Sequence, residues 1–493
     1  MSSSSSDSIQ IVETAGLQRL SKLDSRFLRN GLPYTILTRN EKYVLSCNLA
    51  LMGLCCSITI SIYFVALTQL QLDFHVTEEQ INLTITAYLV FQATSPVFVS
   101  NLSDHYGRRP VLIVCLTGGL GASIGLALCN TYWLLMFLRC LLGVFLSPIV
   151  SINSSVVGDF TSGRDRGGFS GIIGGFSVIG QGIAPFLGSL FDARWGWRAI
   201  FWFCAAYNAL VLLVTIILLP ETKRSIAGNM SHLPDKWIHR APSLVHFRGR
   251  FTDTDGITLE PPMPSKYNPF EPFFMMKDLD VTLVLLPCAL MYSTWTMSQA
   301  SLTTNLAKQY HFSTLKIGLS FFAPGFGTIT GALVSGKLMD VLYGRMKKRY
   351  VEKWSTNPEA ERPPFNVIKA RLSLYYICSA IVVVFVLVYG WCLRYHESVA
   401  IILVSSFIFT VCSMYPLSTA MTLMVDLHPE NSGGSTSLNN FYRCGLGAIF
   451  VSCLTKMNAA MGIGGTFTFM SGLCAFSTGL IWLVLKRSEA RTK

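Results

Sequence analysis

Twelve apolar runs, each near the length a helix needs to cross a bilayer, divide this sequence: 43–70, 79–100, 110–129, 132–157, 167–190, 198–219, 279–302, 315–338, 371–394, 398–424, 435–456 and 463–485. A helix rises about 1.5 Å per residue, so roughly 20 apolar residues cover the hydrocarbon core. One such run can be the buried helix of a soluble domain, but a dozen leave no soluble fold that hides them all. Charged residues make up only 13% of the 493, against 51% hydrophobic, too few to coat the surfaces of a soluble chain this long. The expected fold is an all-α integral membrane protein with twelve transmembrane helices.

The basic residues orient it. With the N-terminus inside, 31 of the 39 Lys and Arg fall in the two tails and the cytosolic loops, and six fall in the outer loops. That asymmetry is the positive-inside rule, and it places both termini in the cytosol. The net charge of +12 therefore records orientation and attraction to anionic inner-leaflet lipid, and no nucleic-acid partner is expected. The opening MSSSSSDSIQ lacks the basic-then-apolar layout of a cleavable signal, so residues 1–42 read as a disordered cytosolic tail. The 14 Cys lie in or beside apolar runs without CxxC spacing, as small buried apolar residues do.

Two connections are long, 220–278 and 339–370. The first separates a six-helix bundle at 43–219 from another at 279–485, with 486–493 as a cytosolic tail. Its stretch LEPPMPSKYNPFEPF is too rich in proline for regular helix and reads as a linker. The halves share a motif. SNLSDHYGRRP at 100–110 and GKLMDVLYGR at 336–345 both follow the second span of their half. Asp340 aligns with Asp104, and Gly344-Arg345 with Gly107-Arg108 after a one-residue insertion. This recurrence indicates two parallel repeats with a pathway between them near the midplane. So many charges in so short a hairpin suggest a gating clamp at the membrane surface. Asp104 sits where it can accept from a helix N-terminus, Gly107 permits the turn, and Arg108 and Arg109 hold the inner-leaflet side. An ordinary positive-inside hairpin is the simpler reading of the same residues.

SNLSDHYGRRP resembles the signature Gly-x-Leu-Ala-Asp-Arg-x-Gly-Arg-Arg of the major facilitator superfamily, with Ser100, Ser103 and His105 as departures. The resemblance implies a two-bundle fold working by alternating access, with this loop bridging the halves. Asp104 would then face the start of the eleventh span, around Asn431-Ser432-Gly433-Gly434-Ser435. LMFLRCLLG is similar to the family's Leu-x3-Arg-x2-Gln-Gly and places Arg139 in the fourth span, with Leu142 at the usual glutamine. GQGIAPFLGS resembles the fifth-span antiporter motif Gly-x3-Gly-Pro-x2-Gly-Gly; Gly180, Pro185 and Gly188 match, while Ala184 and Ser189 replace glycines. RGGFSGIIGGFSVIGQGIAPFLGSLF, WGWRAIFWF, LPETKRSIAGN and SLNNFYRCGLGA look like fungal drug:proton antiporters of the quinidine-resistance type. That likeness implies a plasma-membrane multidrug exporter driven by the proton gradient, with no cofactor, working as a monomer.

Charges inside spans cost about 2.5–3.5 kcal/mol each on insertion scales, so Arg139 and Arg443 are functional candidates. Arg139 suits either a polar network, with Asp104 and Asp159 at the cytosolic ends carrying the proton, or a structural helix clamp. Asn439 and Asn440 precede Arg443 by four and three residues and share its helix face, lining a cavity or sealing an interface. Gln181 needs a partner in the glycine-rich fifth span. Tyr63, Phe64, Trp295, Phe321 and Phe322 are aromatics near the expected cavity, and as a set they suit bulky amphipathic or cationic compounds. Not one of the 27 acids or eight His falls near mid-span, so a deep proton-carrying carboxylate is missing. The alternative to drug export is a carrier of polyamines, amino acids or weak organic acids that moves drugs incidentally. A sensor would need large structured tails. An ATP-driven pump would need a GxxxxGK[ST] loop, which the sequence lacks, and no His/Cys metal cluster is expected, so an enzyme is not the expected reading.

Overall fold

The computed structural model describes residues 28–29, 32–33, 35, 37–161, 166–228, 230, 234, 236–242, 271–354, 365–427 and 432–491. Apart from a minimal pairing of Leu28–Arg29 with Leu32–Pro33, the described residues are helix and connections. The N-terminal half comprises α1 (Arg39–Ser61), α2 (Tyr63–Asp73), α3 (Glu78–Tyr106), α4 (Arg108–Leu128), α5 (Tyr132–Phe160), α6 (Arg166–Trp195) and α7 (Trp197–Leu218). The C-terminal half comprises α8 (Leu279–Lys308), α9 (Thr314–Ser320), α10 (Phe322–Trp354), α11 (Tyr375–Arg394), α12 (Val399–Leu427), α13 (432–461) and α14 (463–491). Gly462, with φ 70° and ψ 166°, separates the last two, so one continuous helical run counts as two crossings. The breaks at Ile62 and Phe321 each split one crossing into two segments. Twelve crossings in two bundles result, as the apolar runs require.

Local chemistry sets the ends. Thr38 and Glu41 form a capping box on α1, and Thr77 and Gln80 form one on α3. Inside the bundles, hydroxyls fold back onto the preceding turn, as Thr59 does to the Cys55 carbonyl at 2.8 Å. Such bonds keep polar groups satisfied where no water reaches. Large apolar side chains face outward, among them Trp133, Phe476 and Val114, as a lipid-facing surface needs.

Several boundaries move. The first helix starts at Arg39, inside the stretch read as tail. α3 continues to Tyr106 and takes most of the motif hairpin with it. α10 runs past Gly344-Arg345 to Trp354, because KKRYVEKW has no breaker and Lys348 pairs with Glu352 one turn on at 3.8 Å. α14 continues to Arg491, so the short C-terminal tail is mostly helix. The stretch read as a linker begins as part of the N-terminal bundle: Glu221, Lys223, Arg224, Ile238 and His239 all pack on the end where α3 turns into α4. Its proline-rich part lies largely outside the described residues, and Glu271–Phe274 at its end makes one helical turn. Residues 1–27 of the tail also lie outside them.

Two seams join the halves. α3 runs along α13, where Asn440 donates to the Gln92 carbonyl at 2.8 Å, Ser437 to the Pro96 carbonyl at 3.2 Å and Asn82 to Thr455 at 3.1 Å. α6 crosses α10 backbone to backbone: a Cβ on Gly182 would sit 2.8 Å from the Gly325 carbonyl oxygen. Small residues permit that approach where apolar lipid offers no hydrophobic drive for association.

Candidate functional site

Between the seams lies a small chamber lined from both halves by Ile60, Tyr63, Phe64, Ile85, Tyr88, Leu89 and Arg139, and by Tyr292, Trp295 and Thr296. Arg139 is 1% exposed, on the stretch of α5 that faces the pathway. Its guanidinium lies 3.8 Å from the centre of the Tyr63 ring and 4.5 Å from that of Tyr88. Each desolvated cation–π contact is worth about 2 kcal/mol and offsets part of the cost of burying the charge. Among the described residues, the Nε and Nη1 donors of Arg139 have no hydrogen-bond partner, nor does the Trp295 indole nitrogen. Tyr63 is held by a 2.5 Å bond between its hydroxyl and that of Thr84. On the opposite wall, Arg443 lies 4.6 Å from the Tyr292 ring centre, and Tyr292 packs on Trp295 at 5.8 Å.

Four of the residues singled out in the sequence thus meet in one place: Tyr63, Phe64, Arg139 and Trp295. Arg443 stands one ring away. Tyr88 and Tyr292 are equally central and escaped the sequence reading, whose only signal for them is a tyrosine within an apolar span, a common one. Other candidates lie elsewhere. Asn440 closes the α3–α13 seam and Asn439 is buried near Cys288, so this pair seals a helix interface. Phe322 packs on Phe186 at 4.5 Å across the α6–α10 crossing, and Phe321 is buried outside the chamber. Gln181 is half-buried on α6, away from the lining. The glycines of the fifth-span motif serve packing: Gly180 lies against Leu54 and Ser57 of α1, and Gly188 against Ile62. Pro185 is buried within an unbroken α6.

The charges of the hairpin form a second site, at the end of the bundle where α3 turns into α4. Arg108 bonds Asp104 at 2.7 Å, Asp159 at 3.2 Å and Ser103 at 2.7 Å. Lys223 also bonds Asp104 at 2.7 Å. Arg109 caps the C-terminus of α7, donating to the carbonyls of Thr215, Ile216 and Leu219, and it reaches Ile238 at 3.0 Å. Glu221 lies under the turn. It accepts from the backbone N–H of Arg108 at 2.8 Å, Arg109 at 3.3 Å, Thr222 at 3.0 Å and Lys223 at 3.0 Å, and it meets His239 Nδ1 at 3.0 Å. Burial pushes the Glu221 carboxyl up, but His239 and the backbone donors outweigh it and hold the carboxyl below its usual range. Gly107, at φ 103°, leaves room for this: any Cβ there would strike Glu221 and His239.

Three expectations are corrected here. The carboxylate on a helix N-terminus is Glu221 beneath α4, not Asp104. Asp104 pairs with Arg108 and Lys223, both of its own half. The start of α13 instead faces small residues, since a Cβ on Gly433 would meet the hydroxyls of Ser155 and Ser100; Asn431 lies outside the described residues. In the second half, Asp340 pairs with Arg371 at 3.6 Å, and Arg371 also bonds Asp426 at 2.9 Å. Arg371, not Arg345, is the counterpart of Arg108. Gly344 is an ordinary helical position and Arg345 is exposed, because α10 continues where α3 turns.

Comparison with known proteins agrees with this architecture. The Major Facilitator Superfamily family model matches residues 49–452. The chain is 36% identical over 459 residues to the probable transporter AQR1 of Saccharomyces cerevisiae, covering 92% of this chain and 78% of that one. It is 34% identical over 463 residues to the MFS antiporter QDR1 of Candida albicans, covering 93% and 90%. It is 33% identical over 459 residues to citrate exporter 1 of Aspergillus niger, covering 92% and 87%. The chain belongs to the Major Facilitator Superfamily, among its transporters of the AQR1 and quinidine-resistance type.

Proposed function

We propose that this protein exports small organic compounds, drugs among them, from the cytosol across the plasma membrane by alternating access and in exchange for protons. The observation that carries this reading is the chamber. It draws Tyr63, Phe64 and Arg139 from one half and Tyr292 and Trp295 from the other, and it has room for little more than a water molecule. A site built from both bundles and closed on itself can accept a substrate only when the bundles move apart, which couples occupancy to conformation. A relative named as an antiporter and an excess of Lys and Arg on one side of the spans support the direction and the cytosolic placement of both termini. A single chain supplies both halves, so a monomer suffices.

Among the described residues the chamber lining contains no acid. Proton coupling then falls to Asp104 and Asp159 at the base, with Arg108 between them. Protonating either acid loosens the pair and frees the ends of α3, α4 and α5 to shift. A second reading, export of weak organic acids with drugs carried incidentally, is favoured by Arg139 and by the relative named as a citrate exporter.

The test is purified protein in sealed liposomes with an imposed pH gradient and a panel of drugs and organic acids. Accumulation that collapses with a protonophore is the expected result. Equilibration without concentration would replace the antiporter by a facilitator.

A further inference from the structure

The chain after α7 makes a turn whose polar anchors point inward and whose apolar side chains point outward. Trp237–His239 form one turn of 3-10 helix packed on α4. His239 is buried and meets the Glu221 carboxylate at 3.0 Å, and the Ile238 carbonyl accepts from Arg109 at 3.0 Å. With both anchors on the inner side, Trp237 is left 82% exposed and Ile238 41%. Lys236 and Arg240, on either side of the turn, are exposed as well, and the Arg240 Nε donates to the Pro234 carbonyl at 2.7 Å. Arg109 fixes the depth of the turn, because it also donates to the carbonyls of Thr215, Ile216 and Leu219 that end α7. On α7 itself Leu210, Leu213 and Ile217 are exposed at the spacing of one helix face, a stripe turned to hydrocarbon. The Trp237 turn therefore lies where the lipid-facing flank of the bundle ends. An indole on so firmly held a turn does not fold away from water, and the headgroup layer is the environment that suits an apolar ring with one polar N–H.

Resting on the cytosolic placement of this end, we propose that residues 236–240 are a membrane-surface anchor that binds the anionic phospholipid of the inner leaflet. Trp237 and Ile238 enter the headgroup layer as a continuation of the α7 stripe. Lys236 and Arg240 lay their aliphatic stems along it and carry their charges to the lipid headgroups. Charge selects the lipid, since the inner leaflet is the anionic one and attracts Lys and Arg at its surface. The bound lipid also acts on the protein. The turn that holds it also holds Glu221 through His239 and the end of α7 through Ile238 and Arg109. Lipid bound to this folded arrangement alone stabilises the start of α4 by mass action.

The test is fluorescence quenching of the full chain in nanodiscs by lipids brominated on their acyl chains. The chain has nine tryptophans, so the emission of Trp237 is read as the difference between the unmodified protein and Trp237→Phe. That difference should be quenched by brominated lipid and little by acrylamide in the water. Brominated phosphatidylserine should quench it at about fivefold lower mole fraction than brominated phosphatidylcholine, the size of one basic residue at an anionic surface. Lys236→Gln should remove most of that advantage, and Lys236→Gln with Arg240→Gln all of it. Should Trp237→Phe fail to fold, loss of the phosphatidylserine advantage in the total emission of Lys236→Gln decides the matter. Quenching by acrylamide alone places Trp237 in water and overturns the proposal. Quenching by neither, as when residues 243–270 cover the ring, overturns it too, and so does equal quenching by the two lipids. In each of these cases drug accumulation in liposomes is untouched and the exporter reading stands. A maleimide that does not cross membranes should label Lys236→Cys in intact cells no more than the unmodified chain. Labelling there removes the cytosolic placement, and the proposal with it.

Discussion

The two halves close the same end of their bundles with the same device and unequal strength. In each, an arginine before the third crossing joins an acid ending the second to an acid ending the fourth: Arg108 with Asp104 and Asp159, Arg371 with Asp340 and Asp426. The N-terminal acids are 31% and 13% exposed, and their counterparts 79% and 32%. The contrast extends to the acid after the sixth crossing. Glu221 is wholly buried and accepts four backbone bonds, whereas Glu489 meets Lys369 in an exposed pair at 2.6 Å. Burial strengthens a pair that is fully bonded and makes it costly to break, while solvent reduces an exposed pair to little. The N-terminal base is therefore the tighter of the two while both its acids are ionised. The C-terminal base keeps one close pair, Arg371 with Asp426, and one solvated pair, Arg371 with Asp340.

Four measurements break or sharpen this contrast. Arg108→Gln should have the largest effect, about 3–5 kcal/mol, because it strands Asp159 against Asp104 at a buried site. Arg371→Gln should cost less, about 1–2 kcal/mol, because Arg371 is largely buried but its partner Asp340 is solvated. Chemical unfolding of the two variants in detergent decides, and equal losses would end the comparison. Glu221→Gln follows, at about 2–3 kcal/mol, read as lost hydrogen-exchange protection at the start of α4. The Glu221 carboxyl lies below its ordinary 4.5 in the folded protein. A depressed carboxyl adds stability that is complete above the unfolded value and is lost as pH falls through the folded one. Melting temperature should thus hold from neutral pH to about 5 and drop below about 4.5, with part of that acid step absent in Glu221→Gln.

The third measurement uses the two glycines of the repeated motif. Gly107→Ala places a Cβ at positive φ against Glu221 and His239 and should cost about 1–3 kcal/mol. Gly344→Ala meets nothing within 4 Å in a helix interior and should stabilise by up to about 1 kcal/mol. Opposite signs from one substitution in two copies of one motif would show that the copies diverged in structure. Asp340→Asn comes last, at under about 0.5 kcal/mol, since its pair with Arg371 is long and solvated. A larger loss in unfolding experiments would show that the C-terminal base is tighter than its exposure indicates.

The motif pair also shows how far the sequence reads. Alignment of Asp340 with Asp104 holds in space, as both end the second crossing of their half. Alignment of Arg345 with Arg108 does not, because the chain after Gly344 contains good helix formers and no breaker, and α10 runs on by two to three turns. A glycine marks a turn only where its φ is positive, and sequence does not display φ. Glu221 shows the opposite failure. It sits in a stretch whose prolines and charges read as linker, and only docking under α4 gives it a role. In the chamber, Arg139 stood out because a charge inside an apolar run is rare. Tyr88 and Tyr292 did not, because a tyrosine in a span is common and its neighbours across the bundle are invisible along the chain.

Crossing number and the division into two halves were legible in the sequence alone, and the orientation it predicts rests on loop charge, since each follows from the solvent. Lipid demands a length of apolar helix, and the inner leaflet retains positive charge. Which side chains converge was decided by the tertiary structure. Arg139 acquires two aromatic neighbours and, among the described residues, no counter-ion, Asp104 pairs within its own half, and Asn439 and Asn440 close a seam instead of lining a cavity. Those outcomes depend on the rotation of each helix about its axis. Among helices with apolar residues on every side, that rotation is set by close packing of small residues and paired polar groups, which the order of residues along one helix does not encode.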